Sequence, residues 1–146
     1  MSTTNFNAIL TTGSADVVVS VNGPFKADNL LIFEQHDESI KLLFTNNGTT
    51  NGDLGVSFTI PKRNGRYSGQ VDLIGYTAYA AYLYRMGSAT GFLDSIEGHY
   101  DVEHNPANQE LTGRFYFIVW NNQGYKAPID LTFTAQGYSQ QSAPAI

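Results

Sequence analysis

Apolar and polar residues alternate in short stretches along nearly the whole chain, and runs rich in Gly and Asn separate them. Across residues 111–120, Leu111, Gly113, Phe115, Phe117 and Val119 fall on one side, and Thr112, Arg114, Tyr116, Ile118 and Trp120 on the other. A period of two puts successive side chains on opposite faces of a sheet, so this stretch predicts a strand. Roughly ten such stretches, punctuated by turn residues, predict an all-β protein.

The first strand is expected over residues 4–10 and the next over 16–21, with Thr12, Gly13 and Ser14 read as a break between them. Residues 29–35 and 39–45 read as a pair joined through His36, Asp37 and Glu38. Residues 45–53 contain Asn-Gly twice and read as a surface loop or a short hairpin tip, because both residue types tolerate positive φ. Strands follow over 54–60 and 67–74. Residues 76–86 are ambiguous: Tyr76, Tyr79, Ala80 and Leu83 would share a helix face, whereas Tyr76, Tyr82 and Tyr84 share strand parity. All its neighbours are β, which favours the strand. Residues 94–103, 110–120 and 125–136 form three strands with short connections, and short connections make antiparallel neighbours.

The chain therefore predicts one β domain over residues 1–138, followed by a frayed tail over 139–146 that has no period. The terminal meander favours a single-domain antiparallel β-barrel of the calycin-like up-and-down kind; a two-layer β-sandwich is the other architecture the pattern allows.

Charged residues make up only 14% of the 146, well below the usual quarter, so Asn, Thr, Ser, Gln and Gly must supply much of the polar surface. Net charge is −5, and the small cluster Lys62, Arg63 and Arg66 is no phosphate-tracking surface, so no nucleic-acid partner is expected. With no cysteine, disulfides and thiolate metal sites are excluded. No apolar run is long enough for a transmembrane helix. The first residues lack a secretory signal pattern, which predicts a cytoplasmic location by default, with non-classical export as the other route.

No catalytic motif accompanies the strands: there is no Gly-x-Ser-x-Gly, no His-Glu-x-x-His and no phosphate-binding glycine loop, so neither an enzyme nor a cofactor is expected. Glu97, His99, Asp101 and Glu103 share one strand face, roughly 6–7 Å apart in sequence steps of two. Glu97, His99 and Asp101 could converge on a divalent metal; the same row also reads as an ordinary solvated face, which the apolar opposite face favours. His36 and His104 lie beside turns and are expected at the surface.

Aromatic residues are the other resource. Tyr76, Tyr82 and Tyr84 should line one site, with Tyr79 pointing away. Trp120 and Tyr125 flank a turn containing Asn121 and Asn122, the pairing of flat ring and amide that suits a sugar. The sequence thus predicts a non-enzymatic binding protein holding a small neutral apolar or aromatic ligand in a tyrosine-lined barrel cavity. The alternatives are a carbohydrate-binding lectin using Trp120, Asn121, Asn122 and Tyr125, a membrane- or partner-binding β protein such as a toxin component, and a barrel enzyme centred on His99. The expected partner is a small neutral ligand or glycan, and a homo-oligomer is left open.

Overall fold

The computed structural model describes residues 11–35, 38–72 and 78–139. Ten strands lie within them: β1 (Thr12–Val19), β2 (Phe25–Ala27), β3 (Asn29–Glu34), β4 (Ser39–Thr49), β5 (Gly52–Pro61), β6 (Gly65–Gln70), β7 (Tyr79–Met86), β8 (Ala89–Asn105), β9 (Glu110–Trp120) and β10 (Lys126–Gln136). All ladders between them are antiparallel, in the order β2-β1-β10-β9-β8-β7-β5-β4-β3, with β6 added on β8.

Four of these strands are halves of two longer ones. β2 pairs with β1 through Ala15↔Ala27, and β3 pairs with β4 through Asn29↔Thr45. Asp28 is the joint, and its N–H donates to the Thr45 carbonyl at 3.0 Å. Likewise β6 runs beside residues 99–104 of β8, and β7 beside residues 89–94 of the same strand. Counted this way the ten strands make eight staves, each antiparallel to the next, with β10 returning to β1. The result is a nearly closed up-and-down barrel, and the sandwich alternative falls away.

Side-chain hydroxyls hold the seam between β1 and β3. Thr11 bridges Leu30, and the Ile32 N–H points at both Thr11 Oγ1 (3.2 Å) and Ser139 Oγ (3.3 Å). The Ser139 N–H returns a bond to the Ile32 carbonyl at 2.7 Å. Backbone groups that a shared ladder would have paired are thereby satisfied. The turns β1–β2, β4–β5, β7–β8 and β9–β10 lie at what we term the upper end; β3–β4, β5–β6 and β8–β9 lie at the lower end.

Inward-facing residues follow the alternation. One register row runs Val17, Leu131, Phe115 and Tyr100 across four staves, all buried. Phe115 stacks on Phe58 with centroids 3.9 Å apart, and Phe44 meets Phe133 at 5.2 Å. Phe44, Phe58, Phe115 and Phe117 are fully buried in the middle of the barrel. An eight-stranded barrel has an interior about wide enough for side chains to fill, and here phenylalanines fill it.

Several expectations need correction. Thr12, Gly13 and Ser14 do not break the chain; they belong to β1, and the glycine marks close approach. Gly13 has φ +132°, and a Cβ there would lie 1.9 Å from the Thr134 carbonyl oxygen. Of the two readings of residues 45–53 the hairpin tip holds and the loop does not: β4 and β5 pair as far as Thr49↔Gly52. The Asn46 side chain donates to the Lys26 carbonyl (2.7 Å) and the Thr49 hydroxyl to the Gly52 carbonyl (2.6 Å), replacing regular ladder bonds at this irregular tip. β8 begins at Ala89, earlier than expected, and is irregular between Ser95 and Glu97, so Ser95 is the buried residue and Ile96 is half-buried. His104 is buried rather than at the surface. Residues 79–86 are strand. The strand expected over residues 4–10, together with Tyr76, His36 and the tail after Ser139, lies outside the described residues.

Candidate functional site

β7 sorts its side chains by parity without a bulge. Tyr82 and Tyr84 face inward, and Tyr79 falls on the opposite face. Tyr82 is fully buried, and its hydroxyl donates to Asn22 Oδ1 at 2.7 Å. Burial pushes the Tyr82 phenol above its ordinary pKa, with hydrogen bonding at Ser20 and Asn22 opposing. Tyr84 stacks alongside at 6.4 Å and 25°, half-buried, nearer the upper end. Its hydroxyl accepts from Asn122 Nδ2 at 3.1 Å. The ring fills the space over Gly91, where a Cβ would lie 2.8 Å from Tyr84 Oη. A glycine within a strand marks such a packing partner.

Beside Tyr84 the outer face carries a groove of about 310 Å³. Its floor is the register row Thr45, Gly55, Leu83 and Phe92, running across β4, β5, β7 and β8. Gly55 lets the neighbouring side chains close over the backbone of the floor, since a Cβ there would lie 2.8 Å from Thr45 Cγ2 and 3.5 Å from Leu83 Cδ1. Phe92 is 52% exposed. Along one edge Arg85 donates from both Nε (3.0 Å) and an Nη (2.8 Å) to Asp53 Oδ2, so the ionic groups here neutralise one another. The groove therefore offers an apolar floor with a charge-balanced rim. Nothing in the local pattern announced it, because it depends on which residues of four strands share a row; the glycines at 55 and 91 inside strand-like stretches were the available signal.

The second aromatic group lies at the tip of β9. Trp120 is half-exposed, with Lys126 Nζ 5.6 Å from the ring centre, and Tyr125 is exposed. The amides beside them already have partners. Asn121 Oδ1 accepts from the N–H groups of Gln123 and Tyr125, both at 2.9 Å, and so ties the turn. Asn122 Nδ2 is the donor to Tyr84. Tyr84 and Trp120 thus belong to one connected upper region, while Tyr76 lies outside the described residues.

Glu97, His99, Asp101 and Glu103 do share the outer face of β8, but they do not converge. Arg66 grips both oxygens of Asp101, at 3.1 and 2.8 Å. That guanidinium bond holds the Asp101 carboxyl below its ordinary pKa, which makes it a poor proton donor near neutrality. Glu97 faces Lys126 at 3.4 Å. His99 stacks on Tyr116 with centroids 5.5 Å apart. Among the described residues no three His, Asp or Glu side chains come together to hold a metal ion. The hollow over this row, about 440 Å³, is walled by Arg66 and Arg114, already paired with Asp101 and Asp130. No protein-family model matches the chain, and neither does any curated protein or solved structure.

Proposed function

We propose that the chain is a non-enzymatic binding protein that takes a small, neutral, largely apolar ligand in the outer groove beside Tyr84. The observation that carries this reading is the groove itself, floored by Gly55, Leu83 and Phe92 and rimmed by a neutralised ion pair. Its volume of about 310 Å³ sits at the lower end of the range that small-molecule pockets occupy. The phenylalanine-filled interior favours this outer position over a site inside the barrel. A glycan on Trp120 and Tyr125 has less to draw on, because Asn121 and Asn122 are engaged within the fold.

The test is titration with Nile red, a neutral apolar dye whose emission rises on leaving water. The wild-type chain should bind it saturably, and Leu83→Asn should weaken binding by roughly tenfold while leaving the circular-dichroism spectrum unchanged, because it puts an amide on the apolar floor. Equal binding by the two chains would remove the reading.

A further inference from the structure

Five large hydrophobic residues are exposed among those described: Val18 (51%), Val19 (41%), Phe92 (52%), Trp120 (50%) and Tyr125 (69%). Exposed apolar residues scattered singly call for no explanation. These five are not scattered. They lie on or at the ends of four consecutive staves, β8, β9, β10 and β1, and all lie toward the upper end. The register sets Ser95 against Val119, Lys126 against Trp120, and Asp130 against Val19. Between Trp120 and Val19 sit Ile118 and Pro128, themselves paired across β9 and β10.

The backbone contributes directly. The register of β1 shifts between Val17 and Val19, so Val18 and Val19 are both exposed. A regular strand would have turned one of the two inward.

We propose that this upper flank docks on the interface of a neutral lipid bilayer. Trp and Tyr concentrate at membrane–water interfaces, where a flat apolar ring and a polar edge each find their medium. Lys126 reaches over the Trp120 ring, as a long cationic side chain does when its stem lies along apolar surface and its head meets the headgroups. Much of the acidic charge lies at the opposite end. Glu34, Glu38, Glu103 and Glu110 lie at the lower end. Nearer the patch, Asp53, Glu97 and Asp130 are each paired with a cation, whereas Asp16 of β1 and Asp94 of β8 are in no ion pair among the described residues, which favours a neutral bilayer over an anionic one.

The seat is peripheral. A membrane-spanning barrel is apolar outside and polar within. Here phenylalanines fill the inside, and the ion pairs Arg66–Asp101 and Arg114–Asp130 cross the outside.

Trp120 is the chain's single tryptophan, so its emission reports on the patch without labelling. The full chain, titrated with phosphatidylcholine vesicles, should show a blue shift, quenching by lipids brominated on their acyl chains, and co-sedimentation. The double variant Val18→Ser, Val19→Ser and the variant Tyr125→Ser should each lower the partition coefficient roughly tenfold with an unchanged circular-dichroism spectrum. Leu83→Asn, which alters the groove floor but none of the five exposed residues, should still bind vesicles, so failure of the ligand reading and failure of this one are distinguishable. Unchanged emission in excess lipid would overturn the proposal. So would a shift produced by soluble neutral oligosaccharides but not by vesicles, or self-association of the chain through the patch without vesicle binding.

Discussion

Phe115 and Tyr116 are consecutive residues on opposite faces of β9, and truncating each tests the interior directly. Phe115 is fully buried, stacked at 3.9 Å on Phe58 and within 6 Å of Tyr100 (5.5 Å) and Phe133 (5.9 Å). Removing a buried phenylalanine ring costs about 3–5 kcal/mol, combining lost transfer energy with a cavity the rigid surroundings fill only in part. Three aromatic neighbours lose a partner at once, which places Phe115→Ala in the upper half of that range. For a chain of this size the melting temperature should fall by about 8–15 °C. Tyr116 is half-buried on the outer face against His99, and Tyr116→Ala should cost about 1 kcal/mol or less. Urea unfolding followed by far-ultraviolet circular dichroism measures both. A loss below about 1 kcal/mol at Phe115, or equal losses at the two positions, would mean that the barrel is not packed through its centre.

Two further outcomes follow from the polar groups. A carbonyl can only accept, so His104 Nδ1 donates to the Arg63 carbonyl at 2.7 Å and Nε2 accepts from the Tyr138 hydroxyl at 2.7 Å. His104→Ala should cost about 2–3 kcal/mol and Tyr138→Phe about 1 kcal/mol in the same urea assay; equal costs would contradict the two-bond account. Burial pushes the Tyr67 phenol up to about 12 and raises Tyr82, Tyr100 and Tyr138 as well. With folded pKa values above the unfolded one, their contribution to stability is intact below pH about 10; it is lost as pH rises through about 12 for Tyr67 and through the raised pKa of each of the others. Full ionisation of all nine tyrosines by pH about 11 in a chain that keeps its native dichroism, read by phenolate absorbance, would contradict this.

Alternation was enough to place Phe115, Phe117, Leu131 and Phe133 inside, and all four are buried. For residues 79–86 the pattern alone was ambiguous and the all-β surroundings favoured strand; strand parity then separated Tyr79 from Tyr82 and Tyr84. Where the reading went astray, the cause was a contact distant in sequence. Gly13 looks like a breaker until Thr134 lies against it. His104 looks like a turn-side surface residue until Arg63 and Tyr138 arrive from elsewhere in the chain. Asn121 and Asn122 look free to bind a sugar until the turn and Tyr84 engage them.

Local pattern by itself determined the all-β class, the faces of the regular strand stretches and the short-turn meander, because the two-residue period and the turn residues act over neighbouring positions. Only the tertiary structure decided the rest. Closure through Asp28 and the Thr11–Ile32–Ser139 seam turns the meander into a nearly closed barrel. Register across separate strands sets Gly55, Leu83 and Phe92 in one row on the floor of the groove. Register likewise gathers Val19, Trp120 and Phe92 at one end. A pattern along one strand says which way a side chain points; it does not say which residue of the next strand stands beside it.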